Sequence, residues 1–408
     1  MTAAPAVPAT LAPVASLSQL VMPMKAEVLL NPFVKMINRL SDAVSHRSTL
    51  PILGHYLIET NVETQRVTVS ATNLEVALRA WVSGKVTASG SMTVPAELFA
   101  DFLSSLSGDA SPILNIANDT KTVSLLVSVG KAKMKIRGLA PAEFPRMLID
   151  SDALGMEFPS ADFRRLIKMT TFSAGDDISK PVLQGVRLMG EGAKFEAAAA
   201  DAFRVSIARL PFKGEMPTYV IVPAKSLNLF EKFLDEAETV TFQIDTAIVL
   251  RAIFTVGPVT MTSNLIEGQY PDIAALAPKT STRVAKFTVQ AMLRAVKTVH
   301  VIARNSTNIS ARFTFAPDHV AISAGSEDGA GDSEIECGYE SQKAEAEIDS
   351  PFVVALNTKY FLDALEKTST EEQAELRMNE RNQIVIYAPI SGEDWQYLVM
   401  PMMVEGKG

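Results

Sequence analysis

Phe163-Arg164-Arg165-Leu166-Ile167-Lys168 is repeated at two other places in the chain, and the rest of each third is arranged around its copy. Phe33-Val34-Lys35-Met36-Ile37-Asn38 and Met292-Leu293-Arg294-Ala295-Val296-Lys297 match it position by position. The third residue is a cation in every copy (Lys35, Arg165, Arg294), and the fourth and fifth are apolar. The spacing is about 130 residues, the length of a small domain rather than of a solenoid repeat. Three similar domains in series follow.

Each copy places apolar residues at helical spacing, as in Phe33, Met36, Ile37, Leu40 and Val44, which predicts a helix with one face inward and the cations on the other. Asn31-Pro32, Ser160 and Thr288 mark the helix starts, being residue types that satisfy free N–H groups in a first turn. For any one helix the cations read as a solvated face. Their repetition points to a shared anionic partner.

At 408 residues, 47% hydrophobic and 21% charged, the chain has enough apolar surface for two or three cores. No apolar run reaches membrane-spanning length, and Met1-Thr2-Ala3-Ala4-Pro5 lacks the cationic flank of a signal peptide, so a cytoplasmic, membrane-free protein is expected. The single Cys337 cannot form an internal disulfide, and His46, His55, His300 and His319 are scattered, so no metal or other cofactor is expected. The net charge of -8 argues against a uniformly basic nucleic-acid binder but leaves room for a local basic lining.

Residues 1–24, rich in Ala, Pro and Val without periodicity, read as a flexible leader. A short strand from Lys25, a helix over Asn31 to Val44 and strands at Tyr56 to Thr60 and Arg66 to Ala71 follow. Val94-Pro95-Ala96 opens a second helix through Leu103, before strands near Ile113, Val123 and Met134. Val222-Pro223-Ala224 and Leu356-Asn357-Thr358 open the matching helices of the other thirds. The expected division is a leader (1–24), domains 25–149, 150–279 and 280–404, and a tail (405–408), with junctions around Leu148 to Gly155 and Pro278 to Thr282. The fold class is α+β, each domain having two helices packed on antiparallel sheets.

Thr49-Leu50-Pro51-Ile52-Leu53, Ala71-Thr72-Asn73-Leu74-Glu75, Pro141-Ala142-Glu143-Phe144-Pro145, Leu265-Ile266-Glu267-Gly268-Gln269-Tyr270-Pro271-Asp272 and Val399-Met400-Pro401-Met402 carry, in this order, a resemblance to the bacterial β sliding clamps, the processivity subunits of the replicative DNA polymerase. The resemblance runs from about Lys25 to Val404. It implies a head-to-tail homodimeric ring of DNA-clamp domains that encircles double-stranded DNA without sequence specificity. It implies DNA contact by Lys35, Arg39, Arg47, Arg164, Arg165, Lys168, Arg294, Lys297 and Arg304, as phosphate contacts that position without reading sequence. Arg164 and Arg304 also read as partners of nearby acids. Met134, on Lys131 to Ile136, would meet the region of Ile302 and Ala303 in the second subunit.

The resemblance further implies an apolar groove for short peptide motifs of the polymerase, clamp loader and repair proteins, formed by Ala200, Ala202, Arg204, Val205, Pro271, Leu276, Leu398, Met400, Pro401 and Met402. The chain departs from the family in three places. Ala200-Asp201-Ala202-Phe203-Arg204-Val205 stands where the family usually reads Thr-Asp-Gly-His-Arg-Leu, so the pocket is expected to be more apolar and differently shaped. Asp176-Asp177 and Pro181-Val182 replace polar or aromatic residues that often contact DNA, and Met403-Val404 precede an added tail.

Two rival readings remain. The acidic stretch Glu327 to Glu334 offers carboxylates to a metal-dependent enzyme, but lacks calcium-loop spacing and a nucleophile with a base; a solvated loop fits it better. A clamp-like adaptor would bind replication peptides without encircling DNA. Gln19-Leu20-Val21-Met22 in the leader resembles the family's peptide motifs and suggests an occupant for the chain's own groove, or a chance match.

Overall fold

The computed structural model describes residues 22–45, 48–106, 108, 112–145, 155–214, 216, 218–245, 250–276, 281–306, 308–327, 329–341, 351–378, 385–390 and 394–402. Arg47, Gln19 to Val21, Asp328 and the segment from Met403 onward lie outside them, as does most of each expected domain junction. Two compact units emerge, one from Met1–Leu154 with Gln243–Ser263, the other from Gly155–Phe242 with Asn264–Gly408. Among the described residues no helix is long and apolar enough to cross a membrane.

Seven helices occur among the described residues: α1 (Leu30–Leu40), α2 (Ala96–Leu106), α3 (Ser160–Thr170), α4 (Ala224–Glu231), the short α5 (Ile273–Leu276), α6 (Val289–Ala303) and α7 (Thr358–Lys367). In α1 the buried residues are Leu30, Phe33, Val34, Met36, Ile37 and Leu40, the helical stripe that the spacing predicts. The helix stops at Leu40, and Ser41–Ala43 tightens into a 3-10 turn, so Val44 is not helical. The capping expectation is corrected for all three first helices, because none has a side-chain cap. Asn31 and Ser160 already lie inside the first turn, and Asn31 donates instead to the Gly108 carbonyl at 2.9 Å. Among these seven, a side-chain cap is made at α7, where Asn357 accepts from the N–H groups of Lys359 and Tyr360.

In the first unit, α1 packs on α2 with Phe33 edge-on to Phe99 at 6.1 Å. A five-stranded antiparallel sheet runs in the order Lys85–Ala88, Lys25–Leu29, Ile113–Asp119, Ser124–Val129, Ala132–Arg137. Beside it, Val259–Asn264 pairs with Val76–Ser83, which continues through Arg66–Thr72 and His55–Asn61 to Gly90–Pro95. Alternating burial along His55–Asn61 puts Tyr56 and Ile58 inward.

In the second unit the same elements recur. Val220–Pro223, Gly185–Glu191, Lys194–Ala200 and Arg204–Pro211 form one run of strands. The run continues without a break through Trp395–Val399, Val385–Pro389, Gln373–Met378 and Arg283–Thr288 to Gly338–Ser341, making nine strands. The seam between Arg204–Pro211 and Trp395–Val399 is anchored by the buried Trp395, whose indole N–H lies 2.8 Å from the Ser206 hydroxyl and 3.0 Å from the Met169 carbonyl. A four-stranded sheet follows, in the order Gly329–Glu336, His319–Ser326, Ser310–Phe315, Phe352–Asn357.

The acidic stretch expected as a loop is corrected here. Gly329 to Glu334 belongs to an antiparallel strand on His319–Ser326, packed along α6, because its side chains alternate between solvent and that helix.

Candidate peptide pocket and cationic helix faces

The turn between Lys194–Ala200 and Arg204–Pro211 decides the local geometry. Asp201 folds it as an Asx turn, its Oδ1 accepting from the N–H groups of Phe203 at 3.0 Å and Arg204 at 3.1 Å. Asn73 does the same for Glu75 and Val76 in the first unit. The residue after each is left-handed, with φ of +83° at Ala202 and +76° at Leu74, a region that costs an L-residue about 1–2 kcal/mol. The sequence shows this position as Ala in place of the family's Gly, and the backbone explains the Gly.

Behind the turn the Arg204 guanidinium is spent inward. It donates to Asp201 (2.8 Å), Asp363 (2.6 Å) and the Phe172 carbonyl (2.8 Å), and its Cζ lies 4.4 Å from the Tyr360 ring centroid. Burial works against its charge, but Tyr397 and the Asp363 and Asp201 carboxylates more than offset that, so its pKa is raised. Tyr360 and Asp363 are one turn apart on α7, which is how one helix supplies both partners.

In front of the turn lies a pocket of about 320 Å³ lined by Lys180, Leu183, Ala200, Ala202, Phe203, Arg204, Val205, Pro271, Ile273, Leu276, Leu398 and Met400. Its floor is a core cluster that includes Leu183, Val205, Ile273 and Leu398. Eight of the ten groove residues expected from the sequence line it. Pro401 and Met402 do not, a correction with a plain cause: the Met402 N–H donates to the Ala355 carbonyl at 2.8 Å, turning the chain away after Met400. Lys180, Leu183, Phe203 and Ile273 are additional lining residues. Leu183 was legible through the repeat, since Pro181–Gln184 and Pro51–Gly54 form the same 3-10 turn.

The cations of the first helices sort unevenly. Lys35, Arg165 and Arg294 are exposed off the buried stripes of α1, α3 and α6. Arg39 is half-buried, and Arg304 is exposed at the end of α6. Arg164 is drawn between Glu231 (3.2 Å) and Asp235 (2.7 Å), Lys168 reaches Glu231 at 3.4 Å, and Lys297 meets Glu366 at 2.8 Å. These are partly exposed pairs of small worth, but they occupy the cations. Lys225 and Lys359, exposed near the starts of α4 and α7, escaped the sequence reading although Val-Pro-Ala and Leu-Asn-Thr align them. α2 carries Glu97 at that position and no cation at all.

Sequence models of the DNA polymerase III β subunit match the chain with its N-terminal domain at 24–148, its central domain at 157–272 and its C-terminal domain at 274–403. The chain belongs to the DNA polymerase III β-subunit family. Relatives among these sliding clamps include that of a Synechocystis strain, 27% identical over 387 residues (90% of this chain, 96% of the relative), and that of Pseudomonas putida, 27% identical over 380 residues (92% and 98%). A Pseudomonas aeruginosa sliding clamp bound to griselimycin shares the fold with a TM-score of 0.84 at 23% identity, over 93% of this chain and 100% of that one. A Thermotoga maritima β subunit does so with a TM-score of 0.81 at 21% identity, over 93% and 100%.

Two of the three residues expected at a sliding-clamp subunit contact have surface to offer. Met134 is half-buried on the edge strand Ala132–Arg137, and Ile302 is half-buried, its Cγ1 3.3 Å from where a Cβ on Gly331 would stand. Ala303 is corrected: as the last residue of α6 it is fully buried on the helix's inner face, while Val301 in the same turn is exposed.

Proposed function

We propose that the chain is a cytoplasmic, non-catalytic sliding clamp: two copies close head to tail around duplex DNA and hold the replicative polymerase and its loader through short peptides in the Leu183–Met400 pocket. The observation that carries this reading is the order of all three β-subunit domains along one chain. Lys35, Arg165 and Arg294, at equivalent places on α1, α3 and α6, supply the backbone contacts, with Arg39, Arg47, Arg164, Lys168, Lys297 and Arg304 around them. Such contacts are salt-sensitive and sequence-blind, which suits a ring that slides.

The repeat supports ring closure. Val259–Asn264 lies on Val76–Ser83 with Val259 opposite Ala80, and Trp395–Val399 lies on Arg204–Pro211 with Trp395 opposite Ala208. The third members of these two strand sets, Ala132–Arg137 and Gly329–Glu336, each end their sheets. An edge strand presents a row of unpaired backbone groups, and a second copy satisfies both rows. Carrying the register over by equivalence sets Met134 opposite Gly331, beside Ile302, with Lys133 facing Asp332 and Lys131 facing Glu334.

Retention on closed circular DNA tests the reading. Replacing Lys35, Arg165 and Arg294 together by Glu leaves the fold intact, because all three are exposed, and reverses three phosphate contacts, costing about 10-fold or more in retention at low salt. Undiminished retention would remove these residues from the DNA path. A monomer at micromolar concentration would favour the adaptor that binds peptides without encircling DNA.

A further inference from the structure

The apolar pocket has a charged rim. Its lining carries two cations, the internally satisfied Arg204 and Lys180, the latter acting on Asp177, and Lys359 and Lys367 stand one turn either side of Asp363 on α7. Against these stand Asp201 and Asp363, which hold Arg204, and the exposed Asp176 and Asp177. The loop bearing the latter pair is pinned to the pocket: Gly175 donates to the Leu183 carbonyl at 2.8 Å, and a Cβ there would lie 3.6 Å from Asp201. Asp176 is near enough to Tyr360 to act on its hydroxyl. Ser179 fixes Asp177 through its N–H (2.9 Å) and hydroxyl (2.7 Å).

An aromatic ledge adjoins these carboxylates. Phe203 lines the pocket, is 55% exposed and stacks on Tyr360 at 6.4 Å with the rings 25° apart. Arg204 already packs against the Tyr360 ring, so Phe203 supplies the open aromatic face. Ile178, 85% exposed between Asp177 and Ser179, adds apolar surface for the stem of a long side chain.

We propose that this pocket selects peptides whose apolar anchor residues are flanked by Arg or Lys, with Phe203 and the Asp176-Asp177 pair as the specificity-determining residues. The inference rests on the peptide-pocket reading above and names the chemistry of its partner. A guanidinium stacks on an exposed ring and pairs with a carboxylate at once, whereas an acidic flank meets like charge and is rejected. Being exposed, the preference is screened by salt.

Calorimetric titration of the full chain with two acetylated, amidated peptides tests this. Both carry a Gln-Leu start followed by apolar residues, one with Arg at each end and the other with Glu. At low salt the Arg peptide binds roughly fivefold tighter, and the gap closes at high salt. D176N/D177N and F203A each narrow it, while M400A weakens both peptides alike. Equal affinities at low salt, or a gap that survives D176N/D177N, would overturn the inference and leave the pocket reading standing. Failure of both peptides to bind would overturn the pocket reading and the inference with it.

Discussion

Arg204→Ala is the substitution with the largest expected consequence. The side chain is 9% exposed and holds Asp201 (12%) and Asp363 (33%), so its removal leaves two carboxylates facing each other in a largely dry site. Breaking a buried pair in this way costs about 3–5 kcal/mol, and the part-exposure of Asp363 places this case near 3. For a unit of this size each kcal/mol moves Tm by about 2–4 °C, so the transition of the second unit should fall by roughly 6–12 °C in differential scanning calorimetry. Arg204→Lys keeps the charge but cannot fork to three acceptors, and recovers only part of the loss. Arg204→Ala with Asp363→Asn should melt about 1 kcal/mol higher than additivity allows, because the stranded charge is gone. A Tm within about 2 °C of the parent for Arg204→Ala would refute the account of this guanidinium as the support of the pocket wall.

Ala202→Gly relieves a side chain held at φ +83° and should raise Tm by a few degrees, the released strain of about 1 kcal/mol outweighing the extra chain entropy; a lower Tm would contradict the left-handed geometry. Lys131→Glu with Lys133→Glu should shift the assembly toward monomer in analytical ultracentrifugation, and mixing with Asp332→Lys plus Glu334→Lys should restore the dimer; no restoration would reject the proposed strand register. His300 bonds Thr358 at 2.8 Å, and burial, then Arg304, lowers its pKa below 6.5. Its contribution is therefore complete above pH 6.5 and is lost as the pH falls and the unfolded chain takes up the proton first; His300→Gln should flatten the acid limb of a stability profile, and an unchanged limb would refute it.

Three domains were legible in the sequence because a helix buries its Phe163, Leu166 and Ile167 stripe by a local rule, and three copies of that rule at one spacing leave few other architectures. Eight pocket residues, among them Ala200, Val205, Pro271, Leu398 and Met400, were legible through the resemblance to the sliding clamps rather than through a local rule, because strands far apart in the sequence bring them together. The strand at Gly329 was misread as a loop because alternating acids on a solvated edge look like a polar turn until α6 is laid beneath them. Tertiary structure alone decided which cations are occupied and which carboxylates surround the pocket. Arg164 and Arg165 are neighbours in sequence, yet one is taken by Glu231 at the end of α4 and Asp235 in the turn after it, some seventy residues later, and the other is exposed. A helix turns 100° per residue, so adjacent side chains face different neighbours, and what they meet is set by packing that no local pattern encodes.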